Sequence, residues 1–463
     1  MSYAQSARRV ALDVIMAVRE SDAYANLLLP VHLERAKLST ADAGLATELT
    51  YGTLRMQGYY DAVIAQAAGR AISKIDPPVL DVLRLAAHQL LSMRVPSHAA
   101  VDESVRLAKT IGSRSAVGFV NAVLRAITKH EPDVWRERVI AAAGTGEEAL
   151  ALEYSHPLWV TRAFRQVLVA EGREAELEGL LAADNVPARV SVAALPGFAV
   201  PAEIDVTIAE YSPVGGTLRE GDPGKNAAVA SGRARVQDEG SQLAALALSR
   251  ARPIIAGESW LDMCAGPGGK AALLAAEALT GGAHLTANEL IPARAKLVRN
   301  ALAVFESPPE VWEKDGVDIG NEHPGEFDRI LLDAPCTGLG ALRRRPEARW
   351  RKQPGDVAKL GALQTALLHS ALAALKPGGV LAYVTCSPHA AETKAVVGSV
   401  LRKLPNVSKM DTPAVLKEIA LGELDLPEGS HVQLWPHRHG TDAMFIQLLV
   451  KADSNTADSN TAD

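Results

Sequence analysis

Cysteine is scarce in this chain and its count is odd: Cys264, Cys336 and Cys386 are the only three, all in the C-terminal half. So few thiols argue against a disulfide framework and for a reducing compartment. No window approaches the roughly 18 uncharged apolar residues of a membrane span, and no apolar segment follows the Arg8-Arg9 pair as a secretion signal would require. These absences lead us to expect a soluble, unexported protein of the cytoplasm with no membrane partner. Two further patterns are missing. The dinucleotide fingerprint G-x-G-x-x-G does not occur at the one glycine loop of interest, and no C-x-x-C pair accompanies Cys386-x-x-His389, so no metal centre is expected.

What is present is ample apolar content, 48% of 463 residues, enough for two or three domains with real cores. The net charge of −6 is unevenly spread: residues 1–130 carry 15 Lys+Arg against 11 Asp+Glu, so this segment is +4 and the remainder −10. An acidic total does not exclude RNA binding through local patches.

Helical periodicity runs from residue 6 to about 130. Stripes such as Leu80, Leu83, Ala87, Leu90 and Leu91, or Phe119, Val120, Val123, Leu124 and Ile127, predict an all-α domain of about six helices over residues 1–130. A small α+β connector is expected over 131–233, with strand-like pieces at 188–194 and 206–211 and loops around 213–224. Strands and helices then alternate over 234–452, the pattern of a parallel, doubly wound α/β sheet of Rossmann-like type. Its strands are expected at 260–263, 283–287, near 311–312, and at 329–332, 380–385 and 443–450. The polar repeat of the tail, 453–463, buries nothing and is expected to be disordered.

The chemistry gathers at the carboxyl ends of these strands, where open α/β sheets bind ligands. Cys264-Ala265-Gly266-Pro267-Gly268-Gly269-Lys270 joins the first strand to a helix, and glycine there lets backbone N–H groups approach a ligand closely. Glu289 ends the second strand, where a carboxylate would bind ribose hydroxyls; Asp315 ends the third and Asp333 the fourth. A ring of acids suits a cationic cofactor such as S-adenosylmethionine better than a diphosphate, although all three also read as turn or cap carboxylates. Cys336 and Cys386 follow the fourth and fifth strands, expected to be neighbours. Ser387 reads as an N-cap and Pro388 as a first helical residue, which would place Cys386 at a helix N-terminus and favour its thiolate. A thiolate suits cytosine methylation, since its addition to C6 makes C5 nucleophilic. Buried apolar cysteines or a redox pair would leave the same trace. Behind Cys336 lie Arg343, Arg344, Arg345, Arg349, Arg351 and Lys352 with a single acid, Glu347. This run reads either as a phosphate-contacting segment or as a solvated charged face.

The motifs CAGPGGK, DAPCTGLG, the TCS of Thr385–Ser387, VQDEGSQ at 236–242 and GTDAMF at 440–445 resemble the Sun (Fmu) family of RNA cytosine-5 methyltransferases, over about residues 154–450. The helical domain, with FVNAVLR at 119–125, is similar to the NusB fold. The resemblance implies S-adenosylmethionine as cofactor and small-subunit (16S) ribosomal RNA, before full subunit assembly, as partner of a monomeric enzyme. It makes Cys386 the nucleophile and Cys336 the group that helps release product. Asp333 would contact the cytosine N3 and amino edge, and Lys270 joins the catalytic set. Residues 264–270, Glu289, Asp315 and Asp333 would line the cofactor site. This sequence departs from the family pattern at Gly266 (usually alanine), at Ala443-Met444 (Gly-Phe), at Thr393 (asparagine) and at Ser191 (asparagine). The same chemistry on transfer or other RNA, or a non-catalytic RNA-binding assembly factor, are the alternatives.

Overall fold

The helical periodicity of the first 130 residues becomes seven α-helices in the computed structural model, which describes residues 6–21, 23–112, 114–219 and 221–453. They are Ala7–Ser21, Ala25–Ala36, Thr40–Arg55, Gln57–Ala68, Pro77–Leu91, Ser97–Ile111 and Arg114–Ile127. Local chemistry sets their ends. Ser39 Oγ accepts the Asp42 N–H at the start of the third. Pro77 opens the fifth, where its missing N–H would have had no helical partner. Val10, Val14, Leu83, Ala87, Val120 and Leu124, from three of these helices, meet in one apolar core.

The chain divides into two units, and the boundaries differ from the three parts expected. The helical unit takes Met1–Leu168, Arg173–Pro187 and, far downstream, Leu342–Lys352; the second unit takes Val169–Gly172, Ala188–Ala341 and Gln353–Asp463. The connector therefore does not form a domain of its own. Its helices join the bundle and its strands join the α/β unit. The expected tail lies, from residue 454 onward, outside the described residues.

The segment Leu342–Lys352 corrects the reading of the basic run. Arg349 is fully buried. Its guanidinium donates to the carbonyls of Ser155 at 2.9 Å and Arg55 at 3.3 Å and to Asn185 Oδ1 at 3.0 Å, and burial pulls its pKa down to about 10. Arg351 donates to the Val18 carbonyl at 2.7 Å and also to that of Ala23. Arg343 is buried, Arg344 and Lys352 are half-buried, and only Arg345 is exposed, stacked on the Tyr24 ring at 5.1 Å. The indole of Trp350 lies so close to Gly58 that a Cβ there would come within 2.3 Å of it. This stretch packs into the bundle as a strap. Arg349 and Arg351 are already held by backbone carbonyls and Arg343 is buried, so these three are poorly placed for the phosphate contacts expected of them.

In the second unit, β1 (Ser191–Ala194), β2 (Val206–Ile208), β3 (Gly215–Leu218) and β4 (Ala234–Val236) form an antiparallel sheet in the order β2-β3-β1-β4. The Gly-rich sequence of β3 reads as a loop, yet its glycines are what let the strands close up: a Cβ on Gly216 would lie 2.3 Å from Val206 Cγ2. The main sheet comprises β5 (Ser259–Asp262), β6 (His284–Asn288), β7 (Glu310–Trp312), β8 (Phe327–Asp333), β9 (Leu375–Thr385), β10 (Val407–Lys409), β11 (Val432–Gln433) and β12 (Phe445–Lys451). Its order is β10-β12-β9-β8-β5-β6-β7, with β11 on β12. The ladders from β7 through β9 are parallel and those of β12 antiparallel. The strands β10 and β11 were not foreseen, being too short to leave a periodic signal. Alternation sorts the central strands onto two cores. Leu331, Ala382 and Val384 face the helices Glu239–Ser249 and Gly269–Gly281, whereas Ile330, Leu332, Leu381 and Tyr383 face Pro354–Ala374 and Lys394–Leu401.

Replacing Arg349 by alanine should strand several buried carbonyls and lower stability by about 3 kcal/mol, whereas Arg345→Ala should change it by no more than about 0.5 kcal/mol. Denaturant titration of the two variants checks this; equal midpoints would contradict the strap.

Candidate active site

The sheet reverses its winding at β5, which has β6 on one side and β8 on the other, so a ligand crevice is expected outside its carboxyl end. The loop Cys264–Lys270 leaves β5 at that point and enters the helix Gly269–Gly281. Gly268 has φ +107°, and a Cβ on it would lie 2.6 Å from that of Ala301, so the tight entry requires glycine. Glu289, buried at the end of β6, braces the loop: Oε2 accepts the Gly266 N–H at 3.1 Å and Oε1 accepts the Ile291 N–H at 3.0 Å. Arg294, which motif reading did not single out, completes this corner by donating to the Gly266 carbonyl at 2.7 Å and pairing with Glu289 at 3.3 Å. Asp315 is exposed and caps the helix Gly316–Glu322, accepting the Val317 N–H at 3.0 Å. The cap reading of that residue is thus realised.

Lys270 Nζ donates to Asp333 Oδ2 at 2.9 Å and to Ser241 Oγ at 3.2 Å. Burial alone would lower the Lys270 pKa, but Asp333 outweighs it, with help from Cys386 and Asp262, and holds the ammonium above its usual range. Asp262 ends β5 with both carboxyl oxygens buried and without a hydrogen-bond donor in good geometry. Burial first, then the charge of Asp333, pushes it up to about 8. The thiol of Cys264 is raised in the same way, by burial and then by Asp262. This loop cysteine is therefore a neutral group in the cradle, not a nucleophile.

The two other thiols meet. Asp333 pairs with Val384 in the β8–β9 register, so the residues beyond each strand end emerge side by side and bring Cys336 Sγ and Cys386 Sγ to 3.4 Å. Gly340 secures the second: its N–H donates to the Cys386 carbonyl at 2.8 Å and its own carbonyl accepts the Ala443 N–H at 2.8 Å. A Cβ on Gly340 would collide with the Ala443 oxygen at 2.0 Å, which explains the last glycine of DAPCTGLG. The expected helix N-terminus at Cys386 is not there. Residues 387–389 are irregular, a single 3-10 turn spans Ala390–Glu392, and the helix begins only at Lys394. Ser387 uses its hydroxyl on Glu392 instead of on a helix turn, so the positive influence on Cys386 is the ammonium of Lys270. The Cys336 thiol is raised well above its ordinary value, first by its hydrogen bond to Cys386 and then by burial. Among the described residues no group of three or more His, Cys, Asp or Glu is placed to hold a metal ion, and no helix is long and apolar enough to cross a membrane.

A doubly wound sheet with a glycine loop after its first strand, an acid closing the second and another beside the loop lysine defines a Rossmann-like, S-adenosylmethionine-dependent methyltransferase. The chain belongs to the RsmB/F family of 16S rRNA methyltransferases: the family model matches residues 253–450, and the NusB family matches residues 5–129. The Mycobacterium tuberculosis (strain H37Rv) protein Rv1407, named as a methyltransferase, is 48% identical over 450 residues, which is 96% of either chain. Ribosomal RNA small subunit methyltransferase B of Pseudomonas putida is 32% identical, with 96% of this chain and 98% of that one covered. The crystal structure of PH0851 superposes with a TM-score of 0.79 at 21% identity, over 96% of this chain and 98% of the other. NSun6 from Pyrococcus horikoshii, solved with SFG, gives 0.53 at 17% identity, over 63% of this chain and 98% of that one. Both likenesses are of fold.

The residues present fit the cofactor. Asp262, a buried carboxyl short of partners beside an open glycine loop, suits a ligand that brings positive charge, and Glu289 keeps lone pairs free for hydroxyls while holding Gly266. Two measurements check these assignments. Glu289→Ala should weaken S-adenosylmethionine binding by about 1–3 kcal/mol in calorimetry; unchanged affinity would remove Glu289 from the site. Asp262, ordinarily ionised above pH 3.8, keeps its proton in the fold up to about 8. The unfolded chain then binds fewer protons than the folded one across that window, so stability falls as pH rises from about 4 to about 8. Asp262→Asn should flatten that slope without cofactor, gaining most over the parent at the alkaline end. A slope unaffected by the substitution would show Asp262 to be ionised.

Proposed function

We propose that this protein methylates C5 of a cytosine in 16S ribosomal RNA, before the small subunit is fully assembled, through a covalent bond between Cys386 and C6. The observation that carries this reading is the pair of thiols 3.4 Å apart at the ends of adjacent strands, beside the Lys270–Asp333 pair. Bound S-adenosylmethionine supplies an electrophilic methyl group. The protein's own residues make the base able to accept it. The Cys386 thiolate, facing the ammonium of Lys270, adds to C6, and the C5–C6 double-bond electrons become available at C5. Asp333, steadied by Lys270, holds the N3 and amino edge of the base. Cys336 keeps its proton while Cys386 is a free thiolate, since that hydrogen bond is the largest cause of its raised pKa. Once the Cys386 sulfur is bonded to C6 this largest cause is gone, while burial, Glu392 and Asp333 still oppose ionisation, so Cys336 must first pass its proton to water or another base. It then takes the proton from C5 as the double bond re-forms and Cys386 leaves. The residues of the NusB-like unit, with their surplus of positive charge, are the natural grip on phosphates.

The two alanine variants should fail differently. Cys386→Ala should be inactive and form no RNA-linked band on a denaturing gel. Cys336→Ala should add to the base and accept the methyl group but not finish, so that protein and RNA remain linked through denaturation. A trapped adduct in the Cys386 variant would exchange the roles; full activity in both would remove the covalent route. Tritium transfer to naked small-subunit RNA, set against intact subunits and transfer RNA, tests the substrate. Preference for transfer RNA would overturn it.

A further inference from the structure

Glu392 lies outside the Lys270–Asp333 pair and the cofactor loop, yet it is fully buried. A buried carboxylate is costly unless its oxygens are satisfied, and here three of its four donors belong to the residues that directly follow the two thiols. Oε1 accepts the Thr337 N–H at 2.8 Å and the Gln364 amide at 3.3 Å. Oε2 accepts the Thr337 hydroxyl and, at 2.6 Å, the Ser387 hydroxyl. Thr337 follows Cys336 and Ser387 follows Cys386, and their hydroxyls stand 3.1 Å apart. Gln364 also donates to the Pro335 carbonyl at 2.8 Å, on the other side of Cys336. The Glu392 carbonyl itself accepts the Tyr383 hydroxyl at 2.7 Å, which anchors the carboxylate to β9. Beyond the strand ends the two loops share the Gly340 N–H to Cys386 carbonyl bond and the Thr337–Ser387 hydroxyl contact. Glu392 is the side chain that gathers the residues following both thiols onto one group.

We propose that Glu392 is a positioning residue for methyl transfer: its carboxylate ties the loop of Cys336 to the loop of Cys386 and so sets the separation of the two sulfurs. The proposal rests on the two-thiol reading above for its catalytic consequence, but the geometry has a readout of its own. In the full-length protein, diamide should oxidise the adjacent thiols to an intramolecular Cys336–Cys386 disulfide, with diamide reduced to its hydrazine form and the two thiol protons accounted for there. Peptide mapping follows the rate.

Three variants separate position from mere bulk. Glu392→Gln can still accept the Thr337 N–H with its oxygen and donate its amide to the two hydroxyls, so it should oxidise at close to the parent rate and keep much of the methylation rate. Glu392→Asp is a methylene too short to reach both loops, and Glu392→Ala lacks the link altogether. Both should slow disulfide formation about tenfold or more and lower kcat comparably, with S-adenosylmethionine affinity unchanged; that affinity, measured by calorimetry, certifies that the sheet and glycine loop are folded. Parent-like disulfide rates in the Asp and Ala variants would overturn the proposal, as would a Gln variant that behaves like Ala. Should both cysteine variants of the preceding section prove active, the covalent reading would fall while the disulfide rates still decided the role of Glu392. Thr337→Val combined with Ser387→Ala, which removes the link from its other side, should reproduce the Glu392→Ala rates; parent-like rates there also count against it.

Discussion

The parallel pairing of β8 with β9 is the constraint on which the site depends. It lies at the centre of the sheet, buried on both faces, so its register is held by two separate cores at once. Because Asp333 stands opposite Val384, an acid, two thiols and the glycine that clamps one of them all emerge within a few residues of the same line. A shift of one residue would turn Leu331 and Ala382 to the wrong layer and separate the sulfurs together. Packing and chemistry thus protect the same alignment.

Around that line the charges are arranged in a graded way. Lys270 is largely withdrawn from solvent but charged because Asp333 answers it. For Asp262, one strand away, burial and the charge of Asp333 outweigh what Lys270 offers, and its pKa rises to about 8. Glu289 is buried as well, but with backbone N–H groups on both oxygens. The same carboxyl group therefore performs three tasks according to what surrounds it: counter-ion, latent charge and loop brace.

Much of this was legible in the sequence because the telling residues are contiguous. CAGPGGK, DAPC and TCS each sit where an apolar run stops, and the alternation of strands and helices set their order in space. What the local signatures do not show depends on which partner a side chain takes in the fold. Ser387-Pro388 carries the local signature of a helix start, but Glu392 competes for the serine hydroxyl and the helix begins later. The basic run was ambiguous because charge density does not reveal burial, and Arg349 is satisfied by carbonyls near residues 55 and 155 that no local window includes. Asp262 reads in the sequence as an interior residue of the strand 260–263; only the shortage of donors around its buried oxygens marks it out. The division of the connector was likewise invisible, since its helices and strands are adjacent in the chain but belong to different cores.

The strap Leu342–Lys352 has a consequence for the order in which the molecule can be made. Protein synthesis proceeds from the N-terminus, so the bundle helices are complete long before the residues that close their polar gaps exist. Until Arg349 has been added, the carbonyls of Arg55 and Ser155 must be served by water, and the face of Gly58 that meets Trp350 stays open. The nascent bundle can collapse early around Val14, Leu83 and Val120, but it reaches its final form only when the α/β unit is already partly synthesised. The first part of the chain to be built is among the last to be finished.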